Sequence, residues 1–252
     1  MNKFKLLKLW VVGDCHGEIF THFNVFRFKR DEKTFVRPMR AHFKRCLAYS
    51  LHHEGSTMKC REQLLGLLDR LSPKSDEILL SFGEIDCRCH LVGQAIKQQR
   101  PVREIVRNCV GLYMKAVKED VLKRGFTTYI WNVPPPQQTA LNEAFLRRTP
   151  YVARKRAVVL FNRFLKQECN KIGIPFLSIF EEVTDENYDR LPGFAERHSQ
   201  HLLPTCLHLI AAEMERAGIG TLWTNRLIFN HLQNGSEVVG GGTNCRVVTT
   251  KQ

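Results

Sequence analysis

Short apolar segments alternate along the chain with longer segments of helical periodicity, and this alternation limits the possible folds more than any other feature. The apolar segments are predicted strands at residues 6–12, 78–82, 126–133 and 175–180. The periodic segments are predicted helices at residues 57–71, 102–124, 151–172 and 204–217. Strands and helices in alternation form parallel β–α–β units. The sequence therefore predicts an α/β fold of three layers, α/β/α, with a doubly wound parallel sheet of the flavodoxin-like kind.

The length of the chain, 252 residues, is enough to bury one sizeable core. We predict a single domain over residues 1–232. Residues 21–50 interrupt the alternation and are predicted to form a basic insertion over the carboxyl edge of the sheet. Residues 233–252, which contain three consecutive glycines at 240–242, are predicted to be a C-terminal extension that is partly disordered.

The chain is basic, with 38 Lys and Arg against 25 Asp and Glu and a net charge of +13. The charge is concentrated at 27–45 and 147–171, each with eight basic residues. A basic surface attracts phosphate groups without any sequence information. No recognised nucleic-acid motif accompanies the charge, so solvated basic surfaces are the favoured interpretation and a nucleic-acid partner is not expected. An anionic substrate stays compatible with the charge.

The cysteines and the apolar segments bear on the compartment. Nine cysteines are scattered without a repeated spacing, and the first residues lack the apolar region of a signal peptide. We therefore predict reduced thiols and a cytoplasmic protein. No segment reaches the roughly 20 apolar residues that cross a bilayer, so no membrane partner is predicted. The oligomeric state is left open.

The predicted first strand ends in a group of reactive side chains. Its apolar run stops at Gly13 and is followed by Asp14, Cys15 and His16. Open α/β sheets bind their ligands outside the carboxyl ends of the strands. An acid, a thiol and an imidazole at such a strand end predict an active site there.

Four motifs occur at such positions in a fixed order. They are Gly13-Asp-Cys-His16, Gly55-Ser-Thr57, Gly83-Glu-Ile-Asp86 and His198-Ser-Gln-His201. Over roughly residues 5–217 this order resembles the four signature blocks of the SGNH (GDSL-like) hydrolases. The segments 53–58, 82–88 and 133–136 resemble a branch of that superfamily that is associated with bacterial and phage glycan systems.

The resemblance implies ester chemistry without a cofactor or a metal. It implies an esterase, a deacetylase or an acyltransferase whose substrate is an acylated small molecule or a glycan. Cys15 stands at the nucleophile position, where the family usually has serine, and His201 stands at the position of the general base. His198 occupies the place of the aspartate that usually orients the base, and Gly55 matches the glycine whose amide contributes to the oxyanion hole.

Departures from the family pattern lead to further expectations. Ile85 stands where the family has an asparagine donor, and Arg88 is a candidate to replace that donor or to bind an anionic substrate. Glu196 is a candidate to supply the charge that His198 does not carry. A neighbouring His201 imidazolium is expected to lower the pKa of Cys15. The remaining residues assigned to the oxyanion or substrate pocket are Asp14, His16, Gly83 and Asp86.

Two other classes stay open at this stage. Gly-Asp-x-His-Gly also opens the metallophosphoesterases, in which Asp14 and His16 would bind metal. Further ligands could then come from Asp86, His90, His198 and His201, although the other motifs of that family are absent. The second alternative is a catalytically degenerate binding protein in which Cys15 is inert. A zinc site at Cys87-Arg-Cys-His90 is weaker, because no second pair of ligands accompanies it.

Overall fold

The computed structural model describes residues 5–25, 27–29, 34–137, 149–194 and 200–223. Their centre is a seven-stranded sheet with the spatial order β6-β5-β4-β1-β3-β2-β7. The strands are β1 Lys5–Gly13, β2 Arg27–Lys29, β3 Thr34–His42, β4 Asp76–Ser81, β5 Thr128–Trp131, β6 Phe176–Leu177 and β7 Thr221–Trp223. Every pairing among β6, β5, β4, β1 and β3 is parallel, whereas β2 and β7 pair antiparallel at one edge.

The five parallel strands follow the doubly wound order. Numbered along the chain among themselves, they lie in the order 2-1-3-4-5, which is the flavodoxin-like arrangement. The order in which strands are added to the sheet reverses at β1, which lies between β3 and β4. The crevice at such a reversal is where this class of fold binds its ligands. The predicted fold class is confirmed.

Helices cover both faces of the sheet. The α-helices are α1 Cys60–Leu68, α2 Leu91–Gln98, α3 Val102–Ala116, α4 Tyr151–Ile172 and α5 Leu207–Arg216. Successive residues of a strand point to opposite faces, and β1 shows this clearly. Val12 joins the core formed with α1 to α4, whereas Val11 joins the core formed with α5 and a long 3-10 helix, Cys15–Val25. The three predicted layers are therefore present.

The prediction of a basic insertion at residues 21–50 is wrong. This segment contributes β3, which pairs with β1 along its whole length from Lys5 opposite Thr34 to Gly13 opposite His42. The strand was missed because basic side chains and Pro38 interrupt its apolar residues. Among the described residues β2 pairs only with Phe35 and Val36 of β3, so most of β3 is an edge strand, where proline is tolerated.

The other elements differ from prediction mainly in their ends. The helix at 151–172 has the predicted bounds, and the predicted helix at 102–124 is regular to Ala116 and then continues as π and 3-10 turns to Arg124. The predicted strand at 175–180 shortens to two residues, and α2 was not predicted. The predicted extension at 233–252 lies outside the described residues.

The carboxyl ends of β1, β3 and β4 lie side by side. Gly13 pairs with His42 on one side and with Ser81 on the other. A Cβ at Gly13 would overlap the carbonyl oxygen of Ser81, so this close approach requires glycine. The residues that follow β1 and β4 are thereby brought to one place at the sheet edge. In the described part of the chain, no helix is both long and apolar enough to cross a membrane.

Candidate active site

The candidate site is built on the turns after β1 and β4. The amide of Asp14 donates to the carbonyl of Ser81 (3.3 Å), which holds the two turns together. The 3-10 helix then begins at Cys15, and a single π turn, Asp86–His90, leads from the β4 turn into α2. This arrangement places Cys15 at the opening of the site, half-buried, between buried residues.

Cys15, His16 and His201 form a cluster. One side-chain ligand atom from each residue lies within 4.8 Å of the other two. The imidazole rings of His16 and His201 meet edge to face, with their centroids 4.9 Å apart. The structure therefore brings together the proposed nucleophile and base, which are 186 positions apart in the sequence (201 − 15), and it adds a second imidazole.

Glu84 is the buried anion of this site. Its Oε2 lies 3.2 Å from Nε2 of His16, and its Oε1 accepts a hydrogen bond from Nε of Arg88 (2.7 Å). Burial acts to raise the pKa of Glu84, but the charges of His16 and Arg88 outweigh it and hold that pKa at about 2. Burial acts to lower the pKa of His16, and Glu84 raises it by a larger amount. We therefore describe His16 as a buried imidazolium paired with a buried carboxylate.

Arg190 holds the segment that carries His201. Its guanidinium donates to the backbone carbonyls of His201 (3.0 Å) and Gln200 (2.9 Å). It also donates to the carbonyl of Pro135 in the turn after β5, from Nε at 3.0 Å and from a terminal nitrogen. One side chain therefore connects the β5 turn to the backbone of the proposed base.

The protonation state of Cys15 differs from the expectation. Burial raises the pKa of the Cys15 thiol to about 11, and the charges of Asp14 and Glu84 add to this, while Arg88 opposes it. The expectation that an imidazolium lowers the pKa of Cys15 is therefore wrong for this conformation. The negative charges of the two motif acids act on the sulfur, and no imidazolium is among the main influences on its pKa. The thiol is protonated at neutral pH, so its attack on a carbonyl needs a base to take the proton.

Asp14 is a buried acid that the two turns enclose. Its Oδ1 accepts a hydrogen bond from the amide of His16 (2.9 Å), while its Oδ2 is buried with no hydrogen-bond partner. Burial raises the pKa of Asp14 to about 6, against the opposing charge of His16. Because the folded protein binds this proton more tightly than the unfolded chain, protonated Asp14 stabilises the fold. This contribution is complete below about pH 4 and is lost as the pH rises through about 6.

Replacement of Asp14 by asparagine should therefore stabilise the protein in a pH-dependent way. Asparagine keeps the oxygen that accepts the His16 amide but carries no charge, so the variant should gain on the order of 2 kcal/mol relative to the parent between about pH 4 and pH 7.5. Urea unfolding of both proteins at these two pH values measures the difference. An equal difference at both values would contradict the raised pKa of Asp14.

Asp86 stabilises a neighbouring turn, and its carboxylate contacts that turn and not Cys15. Its carboxylate accepts hydrogen bonds from the amides of Ala48 (2.8 Å) and Tyr49 (3.2 Å) and contacts Sγ of Cys109 (3.5 Å). Gly83 has a φ of +114°, and a Cβ there would overlap the ring of Phe161. Both residues of this motif shape the site through the backbone.

The remaining predicted site residues either do not have the contacts that their predicted roles require or lie outside the described residues. The amide of Gly55 donates to Oε1 of Glu62 (2.7 Å) and Gly55 is exposed, so its amide is not directed to an oxyanion in this conformation. Ile85 is half-buried and has no donor. His198 and Glu196 lie outside the described residues.

The metal alternatives receive little support from the side chains. Within the described ranges, the group of three or more metal-ligating side chains with closely spaced ligand atoms is Cys15, His16 and His201, and it does not include Asp14, Asp86 or His90. Cys87 of the proposed zinc motif is buried in the core. The phosphoesterase ligand set is therefore not assembled from its described members.

Two important residues of the site, Glu84 and Arg190, were not predicted from the sequence. Glu84 lies inside a quoted motif, and an acid directly after the strand-ending Gly83 was a usable signal. Arg190 gave no signal, because its partners are backbone carbonyls, which no sequence motif marks.

Comparisons with known proteins agree on the architecture. No family model matches the chain, and no curated protein matches it. Among solved structures, one described as an acylhydrolase from Bacteroides fragilis is similar with a TM-score of 0.53 and 10% identity, over 84% of this chain and 86% of that one. A GDSL-like lipase from Bacteroides thetaiotaomicron gives 0.52 and 11%, over 84% and 87%.

A third similar structure is a mutant of an acetyl-xylooligosaccharide esterase from Geobacillus, with a TM-score of 0.52 and 11% identity over 86% of this chain and 96% of that one. All three identities are low, so these similarities establish the architecture and leave the chemistry to the side chains. Together with the strand order and the position of the site, they show that the chain has the SGNH (GDSL-like) hydrolase fold.

Proposed function

We propose that the protein hydrolyses a carboxylic ester by acyl transfer through Cys15 and His201. The observation that carries this proposal is the cluster of Cys15, His16 and His201 at the carboxyl edge of the sheet. The SGNH (GDSL-like) hydrolase fold supports ester chemistry at this place. The ligand atoms of the cluster lie within 4.8 Å of one another, and contacts in catalytic sites often tighten further when substrate binds.

In the first half of the proposed reaction, the sulfur of Cys15 attacks the ester carbonyl while an imidazole nitrogen of His201 takes the thiol proton. The tetrahedral intermediate then collapses, its bond to the alcohol oxygen breaks, and His201 returns the proton to that alcohol. In the second half, His201 takes a proton from water, the hydroxide attacks the thioester, and the acid leaves as Cys15 regains its proton.

The neighbouring charges have separate roles in this proposal. His16 is already a cation paired with Glu84, so it is a poor proton acceptor, and the half-buried His201 is the base. The backbone amide of Cys15 and the cationic Arg88 can stabilise the negative oxygen of the intermediate. Arg190 is a positioning residue, since it holds the carbonyl of His201.

The substrate of the proposed reaction is an acylated small molecule or a glycan. Support for the glycan comes from the similarity to an acetyl-xylooligosaccharide esterase and from the basic charge, which is compatible with an acidic sugar. The eight cysteines in the described part of the chain are free thiols, which supports the further proposal of a cytoplasmic protein.

The class of the reaction is tested with two chromogenic esters. We expect the protein to release 4-nitrophenol from 4-nitrophenyl acetate, to keep that activity in EDTA, and to show no comparable activity on 4-nitrophenyl phosphate. His201→Ala should reduce acetate hydrolysis by about a hundredfold or more. Phosphate ester hydrolysis that EDTA abolishes would favour the metallophosphoesterase class instead. Absence of both activities would favour a binding protein.

A further inference from the structure

Arg154, the fourth residue of α4, is a buried cation for which the described part of the chain supplies no ion-pair partner. It is 7% exposed, and its Nε is buried with no hydrogen-bond partner. Across the ranges that the structure describes, no carboxylate lies within ion-pair distance of its guanidinium. Burying an unpaired charge is costly, so this position requires an explanation other than stability.

Arg154 lies beside the candidate site. Helix α4 packs against the π turn Asp86–His90, which carries Arg88. Burial lowers the pKa of Arg154, and the nearby charge of Arg88 lowers it further, while Cys89, Tyr151 and Glu84 oppose this. Arg88 in turn acts on the thiol of Cys15. Arg88 is therefore near both Arg154 on the helix and Cys15, the proposed nucleophile.

The buried acids of the site already have partners. Glu84 contacts both His16 and Arg88, Asp86 accepts the amides of Ala48 and Tyr49, and Asp14 accepts the amide of His16. Arg190 donates to carbonyl oxygens, which carry no net charge. Among the described residues, Arg154 forms no ion pair with a carboxylate. An anionic ligand would supply the missing charge, and a guanidinium binds the oxygens of such a group through paired hydrogen bonds.

We propose that Arg154, together with Arg88, binds a carboxylate, sulfate or phosphate group of the ester substrate next to the scissile bond. This inference rests on the proposed function and specifies its substrate as an anionic ester. The anionic group belongs either to the acyl part or to the alcohol part of the ester, and both positions would use the same two guanidinium groups.

Matched esters test the preference and its source. 4-Nitrophenyl 4-sulfobenzoate and 4-nitrophenyl benzoate compare the acyl side, and 4-acetoxybenzenesulfonate and 4-acetoxybenzenesulfonamide compare the alcohol side. We expect one anionic ester to exceed its neutral partner by about tenfold or more in kcat/KM. Arg154→Gln should remove this preference mainly by raising KM, and Arg154→Lys should restore part of it. Arg156→Gln, an exposed arginine on the same helix, should keep the preference.

A binding measurement separates this inference from the ester chemistry. Thermal unfolding of Cys15→Ala protein is followed in sodium sulfate and in sodium chloride of equal ionic strength, with and without Arg154→Gln. Sulfate stabilises proteins in general, so the relevant quantity is the part of the stabilisation that Arg154→Gln removes. A sulfate effect that depends on Arg154 supports the anion site even if no ester is hydrolysed, in which case the proposed function fails alone.

Three results would overturn the proposal. The first is an unchanged preference for the anionic ester in Arg154→Gln, and the second is a sulfate effect that does not depend on Arg154. The third is a fall of several degrees in the Tm of both Arg154→Gln and Arg154→Lys without any anion, which would show that Arg154 serves the fold. An anion-binding arginine predicts no such fall, because the glutamine variant removes an unpaired buried charge.

Discussion

Cys15→Ala is expected to abolish ester hydrolysis, with a loss of at least about a thousandfold in kcat, because no other described nucleophile lies in the cluster with His201. The measurement is the release of 4-nitrophenol from 4-nitrophenyl acetate. Cys89→Ala is the matched control, since Cys89 is the other half-buried cysteine in the described part of the chain. Activity that survives in Cys15→Ala would assign the reaction to another group or to a bound metal.

Alkylation gives the same prediction a second readout. With the thiol pKa at about 11, the thiolate fraction of Cys15 rises about tenfold for each pH unit below that value. The rate of inactivation by iodoacetamide should therefore rise steadily between about pH 7 and pH 9. A rate that is already at its plateau near neutral pH would show a preformed thiolate and imidazolium pair, and would contradict the protonated thiol described above.

Glu84→Gln is expected to cost about 3 kcal/mol of unfolding free energy near neutral pH, because it removes the anion that the buried His16 and the half-buried Arg88 share. Glu84 is 6% exposed and contacts both His16 and Arg88. With its pKa lowered to about 2 from 4.5, the stabilisation by Glu84 is present above about pH 4.5 and is lost as the pH falls toward 2. The destabilisation by Glu84→Gln should therefore shrink as the solution is acidified.

Urea unfolding of the parent and the variant at several pH values measures this effect. Glu54→Gln is the control, because Glu54 pairs with Arg61 while its own side chain is 79% exposed. An exposed pair of this kind contributes at most about 1 kcal/mol. Similar losses of unfolding free energy in Glu84→Gln and Glu54→Gln would show that the buried carboxylate contributes no more to stability than the exposed one. NMR of His16 in Glu84→Gln should also show a lower pKa, since Glu84 is what raises it.

The sequence predicted the fold through patterns that act locally. The helix at 151–172 was predicted with its bounds. Its apolar period and the Pro150 and Gly173 that flank it are all local features of one segment. β3 was missed, since a partly exposed edge strand with Arg37 and Arg40 loses the apolar signal that marks a central strand. For β6 the prediction was too long instead. An apolar segment indicates a buried strand, but it does not determine how many of its residues form hydrogen bonds with the neighbouring strand.

In the candidate site, too, the features that depend on one segment were predictable, and those that depend on the folded chain were not. Cys15 and His16 follow a strand end, so their location at the sheet edge was predictable from one segment. The approach of His201 to Cys15 depends on the whole β–α–β order, and only the resemblance of the motifs suggested it. The direction of the pKa shift at Cys15 could not be predicted, since it depends on the distances to Asp14 and Glu84 in the folded chain.

The contacts of Arg190 have a consequence for sequence variation. Its acceptors in the described part of the chain, at Pro135, Gln200 and His201, are main-chain carbonyls, and every amino acid carries such a group. The side chain at position 135 can therefore be exchanged without removing an acceptor of Arg190, whereas the arginine itself cannot be replaced by a residue with fewer donors. The Gln200 side chain has a separate contact, since its Oε1 accepts from the amide of Gln137 (3.3 Å). Random mutagenesis that selects for activity should accordingly accept many residues at position 135 and only arginine at 190.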